Sequence, residues 1–493
     1  MEEKKLKICL FLQRRFAFWG HALAIELKKM GFNRFCCYTL PLWSAEFLRK
    51  QKDIEYNPFL VDEEIIKKYK EEKIDFEYLK KIEKKYGIPN LLPYIFMDRY
   101  LMMSKGKTSY EPSFSYTDML KILQMRFRAI ERMFEEFQPD VVVFSAIAIM
   151  PSFIMYQVAK KKGIKVVQIL NSRVKNRITV TENINEYTSI FELYKKINRG
   201  LVKSKYKKEA LDFLRKFQQN PTKIYRTREI KRAKFLPLRI YKTLKSAISY
   251  IVSYYTTYRK NDYMVDSPVD YFRQKLRRIF NIILGYKTLF ENPDPNDSYV
   301  FYPLHFEPEA ATLVHGLYYI NQINLIRNIA LSLPINYKLY VKEHPFMLHK
   351  RKRSYYKKIK RIPNVCLIDA KVSSADLIKN SQLVTTITGT AGWEALLLGK
   401  PVITFGNVFY NIFSSVKRCQ NIEELSSLIQ DCLDNFKYNE EEIINYLSAV
   451  FEESIELDLI NIWYFETIED IIRKRLLNKL AEFIYKKITN SEA

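Results

Sequence analysis

Cysteine is scarce in this chain of 493 residues: six, at Cys9, Cys36, Cys37, Cys366, Cys419 and Cys432, with no CxxC pair among them. That spacing excludes a disulfide framework and a zinc ribbon. It predicts buried small hydrophobes in a reducing compartment. Long apolar runs are also missing, since no stretch approaches the roughly 18 uninterrupted apolar residues of a spanning helix. The amino terminus, Met1-Glu-Glu-Lys-Lys-Leu-Lys7, passes directly into a strand-like run, Ile8 to Leu12, without the apolar core and cleavage site of a signal peptide. Secretion is therefore not expected, and the chain is placed in the cytoplasm or at the inner face of the cell membrane. GxGxxG is lacking, so no dinucleotide fingerprint is supported, and no HExxH or DxD points to a metal. No cofactor is expected. The RNP, KH and zinc-finger signatures of nucleic-acid binders are absent, as are internal repeats and low-complexity tracts.

What is present is ample core material, 47% apolar residues, in a chain long enough for about two or three domains. The net charge is +26, and 24 of those charges come from two segments: residues 191–260, with 20 Lys/Arg against 4 Asp/Glu, and residues 350–361, with 8 against none. A basic patch on an otherwise balanced body suits anionic lipid head groups, a polyanionic glycan or nucleic acid.

Along the chain, Lys7 to Leu12 reads as a strand and Gly20 to Gly31 as a helix closed by a glycine; Arg34 to Leu40 reads as the next strand. Residues 45–115 have helical spacing and are expected as a helical insertion on the sheet's edge. Then come helix Tyr116 to Phe137, strand Pro139 to Ser145, helix Pro151 to Lys162 and strand Ile164 to Leu170, the alternation of a parallel sheet. His21, near a helix start, and Arg173 and Arg177, beyond a strand's carboxyl end, are candidate contacts for an acceptor; packing for the histidine and solvation for the arginines are the plainer alternatives. From about 190 to 295 the chain turns to basic, aromatic-rich helices. One of these, Leu236 to Tyr258, carries Leu244, Ile248, Ile251 and Val252 as an interfacial helix does; a packed linker with a solvated basic face accounts for it equally well.

A second alternation starts at Ser298 and runs through strands Tyr337 to Val341, Val365 to Ile368, Leu383 to Ile387 and Val402 to Phe405. Three segments fall at carboxyl ends of its strands and are expected to meet: His305-Phe-Glu-Pro-Glu309, Lys342-Glu-His-Pro345 and Thr388-Gly-Thr390 with Glu394 one turn into the following helix. A helix amino terminus exposes unpaired N–H groups and partial positive charge, so Thr388, Gly389 and Thr390 suit a phosphate. Lys342 and His344, two apart on an extended segment, are expected to face the same way and to stabilise charge on a departing nucleotide, with Pro345 fixing the turn. Glu394 suits ribose hydroxyls. Glu307 and Glu309 are candidate carboxylates for acid/base work, with plain surface as the alternative for both, and His305 is a candidate donor contact of less specific pattern.

Phe301-Tyr-Pro-Leu-His-Phe-Glu-Pro-Glu309, Val341-Lys-Glu-His-Pro345 and Thr386 to Gly406 together resemble the bacterial capsule polysaccharide biosynthesis family, which includes Kdo transferases. The likeness covers roughly residues 295–435. It implies an α/β, GT-B-like architecture: two Rossmann-like domains facing a cleft, donor in the second, acceptor in the first, no metal. The domains expected are 1–190, a basic helical linker or membrane-docking segment at 191–295, a donor domain at 296–440, and C-terminal helices at 441–493 that cross back onto the first domain. In the family the His-Pro motif, here His344-Pro345, goes with the donor phosphate. Its Gln-Pro pair is Glu307-Pro308 in this chain.

The leading reading is a glycosyltransferase moving a sugar from a nucleotide donor, with CMP-Kdo as the implied case, onto a capsular or other cell-surface polysaccharide or glycolipid. Its partners would be the nucleotide sugar, that glycan acceptor and anionic membrane, with no nucleic acid. A sugar-nucleotide epimerase or polyol-phosphate transferase on the same scaffold is one alternative. A non-catalytic nucleic-acid or membrane-binding protein is another.

Overall fold

The computed structural model describes residues 6–103, 112, 114–221, 236–258, 263–284, 289–464 and 466–489. Of the sequence readings, the extreme amino terminus, the end of the 45–115 insertion, the basic run 226–234 and the side chain of Leu244 lie outside the described residues. The strands are β1 (Lys7–Gln13), β2 (Arg34–Leu40), β3 (Tyr56–Val61), β4 (Val141–Phe144), β5 (Lys165–Asn171), β6 (Arg177–Thr181), β7 (Tyr299–Pro303), β8 (Lys338–Lys342), β9 (Val365–Ile368), β10 (Leu383–Thr386), β11 (Val402–Thr404), β12 (Val416–Arg418) and β13 (Ile455–Glu456).

The chain divides into two compact units: unit 1 holds residues 1–184, 225–272 and 454–493, and unit 2 holds 185–224 and 273–453. The basic segment 191–295, expected as one linker, is instead shared out between them. The tail divides as well, because helix Glu440–Glu452 belongs to unit 2 while everything from Ser454 returns to unit 1.

Unit 1 is built on a seven-stranded sheet ordered β13-β6-β5-β4-β1-β2-β3. Its five strands from β3 to β5 are parallel, whereas β6 and β13 add antiparallel edge pairs. Near-continuous apolar strands such as Ile8-Cys-Leu-Phe-Leu12 are what a sheet covered on both faces requires. Cys9, Phe11, Tyr38 and Phe144 pack under helices Tyr116–Phe137 and Met150–Lys161. Leu10, Leu12, Cys37 and Val143 pack under helix Phe16–Lys29 and the C-terminal helix Asn478–Thr489. β3 lies inside what the sequence pattern presents as a purely helical insertion; Pro58 and the polar Asn57 hide its period. All six cysteines are free, and all but Cys366 are buried.

A buried ionic knot ties unit 1 together behind β3. Arg126 donates to both carboxylate oxygens of Asp62 at 2.9 and 2.8 Å, and Tyr263, from the distant 225–272 segment, reaches Asp62 at 2.8 Å and Arg126 at 2.6 Å. Asp98 completes the set at 3.3 Å from the guanidinium.

Unit 2 is built on a six-stranded, all-parallel sheet ordered β12-β11-β10-β7-β8-β9. This is the doubly wound order of a Rossmann-like fold, in which the chain reverses direction across the sheet between β7 and β10. Helices Thr188–Asn198 and Lys207–Gln219 pack beside helix Glu440–Glu452, where Tyr446 meets Tyr194, Phe413 and Trp393 with ring centroids 5.8, 5.1 and 5.6 Å away. Cations of helix Lys207–Gln219 pair with the acidic first turn of helix Glu440–Glu452: Arg215 with Glu440 at 2.7 Å and Lys207 with Glu441 at 2.6 Å.

Candidate functional site

The order β10-β7-β8 puts the three strands that carry the motifs side by side, with β7 in the middle. Open α/β sheets bind ligands beyond the carboxyl ends of their strands, at the place where strand order reverses. That place in unit 2 lies between His305, two residues past β7, and Thr388-Gly389-Thr390, just past β10.

His305 is only 6% exposed and works as an internal brace. Its Nε2 accepts the backbone N–H groups of Ile387 and Thr388 at 3.2 and 3.3 Å, which leaves its proton on Nδ1. Burial first, and then the nearby Arg351 and His344, lower its pKa from 6.5 to about 3, so the ring is neutral. Its backbone is held too: the N–H donates to Gln322 at 2.8 Å and the carbonyl accepts from Arg351 at 2.6 Å. The expected donor contact at His305 is thereby corrected to a residue that shapes the turn.

The turn spends most of its donors internally. Besides the two N–H groups taken by His305, Gly389 N–H donates to Thr386 Oγ1 at 3.0 Å, and Thr388 Oγ1 donates to Ala311 O at 2.7 Å. What it still offers an anion is the first turn of helix Thr390–Leu397, where the N–H groups of Thr390 and Ala391 precede any helical carbonyl. Gly389 is the cap residue because a side chain will not fit: a Cβ there would lie 2.7 Å from Thr386 Oγ1 and 3.0 Å from His305 Cε1. Glu394 is half-buried one turn in.

The most connected residue of the site is Arg351, 3% exposed, which sequence alone does not distinguish among the eight cations of the 350–361 run. It donates to Glu307 Oε2 at 2.6 Å and to His305 O at 2.6 Å, and its Nε lies 3.0 Å from Glu343 Oε2. Glu343 is buried as well and accepts from Tyr356 OH at 2.7 Å and from His344 N at 2.6 Å. Burial opposes the charge on Arg351, but Tyr355 and the Glu343 and Glu307 carboxylates more than offset that and raise its pKa. One guanidinium thus joins the His305–Glu309 loop to the Lys342–Pro345 loop. Sequence could have flagged only that a carboxylate sat inside each motif.

This network corrects two further expectations. Glu307, 7% exposed and paired with Arg351, is built into the scaffold, and its bound oxygen faces the guanidinium and not a substrate. Lys342 and His344 do not present a shared exposed face: Lys342 is buried and donates to Ser374 Oγ at 2.7 Å, while His344 is half-buried, its ring 5.7 Å from Phe306 and 5.6 Å from Phe346. Glu309 is exposed and begins the short helix Ala310–Leu313; Pro345 is exposed beside His344.

In unit 1, His21 is fully buried inside helix Phe16–Lys29, with Nδ1 3.0 Å from Tyr56 OH and its pKa lowered by burial to about 4. It is a packing residue and has no surface for an acceptor. Arg177 starts β6 and donates to the Ser454 hydroxyl and carbonyl at 2.8 and 2.6 Å, which ties the returning tail to the sheet. Arg173 is half-buried just past β5, in the left-handed region at φ +63°. Among the described residues, no three His, Cys, Asp or Glu side chains gather as a metal site.

Residues 210–416 match the family model described as "Capsule polysaccharide biosynthesis protein". Protein FixF of Sinorhizobium fredii is 32% identical over 146 residues, which is 29% of this chain and 35% of that protein. Capsule polysaccharide modification protein LipA of Neisseria meningitidis is 35% identical over 72 residues, 15% of this chain and 10% of that protein. The chain therefore aligns with about a third of one relative and a tenth of the other. Among solved structures, Thermosulfurimonas dismutans KpsC, beta Kdo 2,4 transferase, is similar at 15% identity and a TM-score of 0.38, covering 68% of this chain and 86% of that one. The UDP-GlcNAc 2-epimerase of Methanocaldococcus jannaschii has 14% identity and a TM-score of 0.30, covering 94% and 100%. Both TM-scores are low, and the α/β fold stands on the two sheets described above. Residues 210–416, which hold the whole candidate site, are thus similar to the capsule polysaccharide biosynthesis family that the three motifs resemble.

Proposed function

We propose that this chain is a glycosyltransferase of GT-B type that moves a sugar from a nucleotide donor onto a capsular or other cell-surface polysaccharide or glycolipid, working at a membrane surface. The observation that carries the reading is the meeting of three family motifs at the strand-order reversal of unit 2, where His305 and the Ile387–Thr388 backbone, 82 and 83 residues apart, are hydrogen-bonded.

The acceptor hydroxyl oxygen attacks the anomeric carbon as the bond from that carbon to the phosphate oxygen breaks, and the nucleotide leaves with the electron pair. The first-turn N–H groups of Thr390 and Ala391 receive the negative charge that develops, and His344, on the loop after β8, stabilises the departing phosphate. Lys342 contributes its positive field from within the unit. Glu394 accepts hydrogen bonds from the ribose. Glu309, the exposed carboxylate of the loop, takes the acceptor's proton, because Glu307 is held by Arg351. CMP-Kdo is the first donor to test, on the strength of the resemblance.

Thermal shift against CMP-, UDP- and GDP-sugars tests the donor half, since a ligand that binds only the native state raises its stability by about 2.7 kcal/mol at a hundred times Kd. A shift with one class, followed by transfer that His344→Ala slows by about a hundredfold or more, is expected. No shift with any sugar nucleotide would sink the reading, and equal rates for the two proteins would sink the site. Product analysis separates transfer from epimerisation.

A further inference from the structure

We infer that helix Pro268–Leu284 is an interfacial element that lies on an anionic lipid bilayer. The inference rests on the membrane half of the reading above and not on its chemistry.

Val269, Phe272, Leu276, Ile279 and Phe280 are each between 40 and 68% exposed. Their spacing, i, i+3, i+7, i+10 and i+11, puts them in one strip along the helix. Five large apolar side chains in a continuous exposed strip are more than the scattered hydrophobes of an ordinary surface. At helical periodicity Arg273 borders the strip on one side and Lys275 on the other, and both are exposed. Residues 268–284 carry four cations, Arg273, Lys275, Arg277 and Arg278, against one anion, Asp270. An apolar strip flanked by long cationic side chains matches the acyl boundary and the phosphate layer of an anionic bilayer.

The opposite side of the helix is anchored. Asn281 is buried, and its amide donates to the carbonyls of His349 and Arg351 at 3.0 and 3.3 Å. The strip is therefore displayed by a helix fixed to the loop that carries the Arg351 hub. Within unit 1, Tyr250 of helix Leu236–Ser253 stacks on Tyr271 at 4.7 Å. Among the described residues no helix is long and apolar enough to cross a membrane, which fits an element that lies in the interface. Charge also decides between a bilayer and a second copy of this chain, because self-association through the strip would bring like-charged borders together. In helix Lys207–Gln219, by comparison, Lys207 and Arg215 face acidic partners on helix Glu440–Glu452.

The test is co-sedimentation of the full chain with vesicles of phosphatidylcholine alone or rich in phosphatidylglycerol. Preference for phosphatidylglycerol vesicles, weakening with salt, is expected. Leu276→Glu with Phe280→Glu should abolish binding, and Arg273→Glu with Lys275→Glu should weaken it by about tenfold or more. Lys357→Glu with Lys358→Glu, an equal charge change on exposed residues of helix Arg353–Lys360, should leave binding within about twofold. Circular dichroism melts show that each variant is folded. Absence of binding by the natural chain, equal loss in the Lys357/Lys358 control, or a strip variant that only turns a dimer into a monomer in light scattering would overturn the inference. The sugar-nucleotide thermal shift is read on the same proteins, so failure of the docking surface and failure of the transferase reading are seen separately.

Discussion

At the scale of single residues, the consequential contacts of the site run through Arg351, whose side chain is enclosed by Glu307, Glu343 and the His305 carbonyl. Removing one partner from a buried ion pair leaves an uncompensated charge, which costs about 3–5 kcal/mol, whereas an exposed pair such as Lys207–Glu441 is worth at most about 1 kcal/mol. Arg351→Met is therefore expected to destabilise unit 2 by about 3–5 kcal/mol in urea unfolding, and Lys207→Met by less than about 1 kcal/mol. A loss below about 1 kcal/mol for Arg351→Met would show that the guanidinium is not the tie between the two loops. The histidines give a pH dependence. His305 has its pKa lowered from 6.5 to about 3 by burial, so below pH 6.5 the unfolded chain takes up a proton that the native ring refuses. Its contribution is complete above pH 6.5 and is lost towards about pH 3, at about 1.4 kcal/mol per pH unit. His305→Asn should flatten the fall in stability between pH 6 and pH 4 by about that slope, and an unchanged slope would contradict a buried neutral ring. The motifs named His305, Glu307 and Lys342 as site residues, but burial is a property of partners 32 to 46 positions away, and sequence spacing does not report it.

The strands of unit 2 were legible because each is short, largely apolar and bounded by turn residues: Val365–Ile368 falls where its apolar run predicts, and Lys338–Lys342 lies within one residue of expectation. β12 and β13 at the sheet edges, and β6 next to one, were not, because such short strands carry polar residues such as Lys417, Glu456 and Arg177 and lose the pattern of a buried strand. The helix Gly20–Gly31 instead begins at Phe16, since Phe16 and Ala17 bury against the sheet and extend it by a turn. The element that matters most is the turn into helix Thr390–Leu397, which is tight on both sides. Gly389 touches Thr386 and His305, while Gly392 faces Tyr410, whose hydroxyl would lie 2.5 Å from a Cβ. Gly389→Ala must therefore push the helix start off the end of β10. The expected result is loss of the sugar-nucleotide thermal shift, with Kd raised by about tenfold or more because the N–H groups no longer converge. Trp393→Ala, by contrast, empties an aromatic cluster away from the turn and should cost about 3–5 kcal/mol of stability. An unaltered nucleotide shift in Gly389→Ala would remove the turn from the donor site.

For the whole molecule, sequence patterning found two α/β halves and a tail that crosses back, but not the interleaving by which unit 1 is assembled from three separate segments. Interleaving depends on contacts such as Tyr263 with Asp62 and Lys165 with the Lys487 carbonyl, 201 and 322 positions apart, and local spacing does not encode them. It makes a prediction about how the chain is held together. Leu477, Leu480, Ala481 and Ile484 are almost wholly buried and pack with Trp19, Leu23 and Leu27 on one face of the first sheet. Arg475 adds an ion pair to Glu26 at 2.7 Å. At about 1.5–3 kcal/mol for each large side chain, removing that layer takes away several kcal/mol, and the exposed core beneath it adds more. A domain has only about 5–15 kcal/mol to lose. A chain ending at Glu453 should therefore fail to fold unit 1, whereas unit 2 keeps residues 185–224 and 273–453 entire. Limited proteolysis should then digest residues 1–184 and leave a resistant core containing β7 to β12, and that core should still show the sugar-nucleotide thermal shift. Equal resistance of both units in the shortened chain would mean that the tail covers the first sheet without being needed to close it.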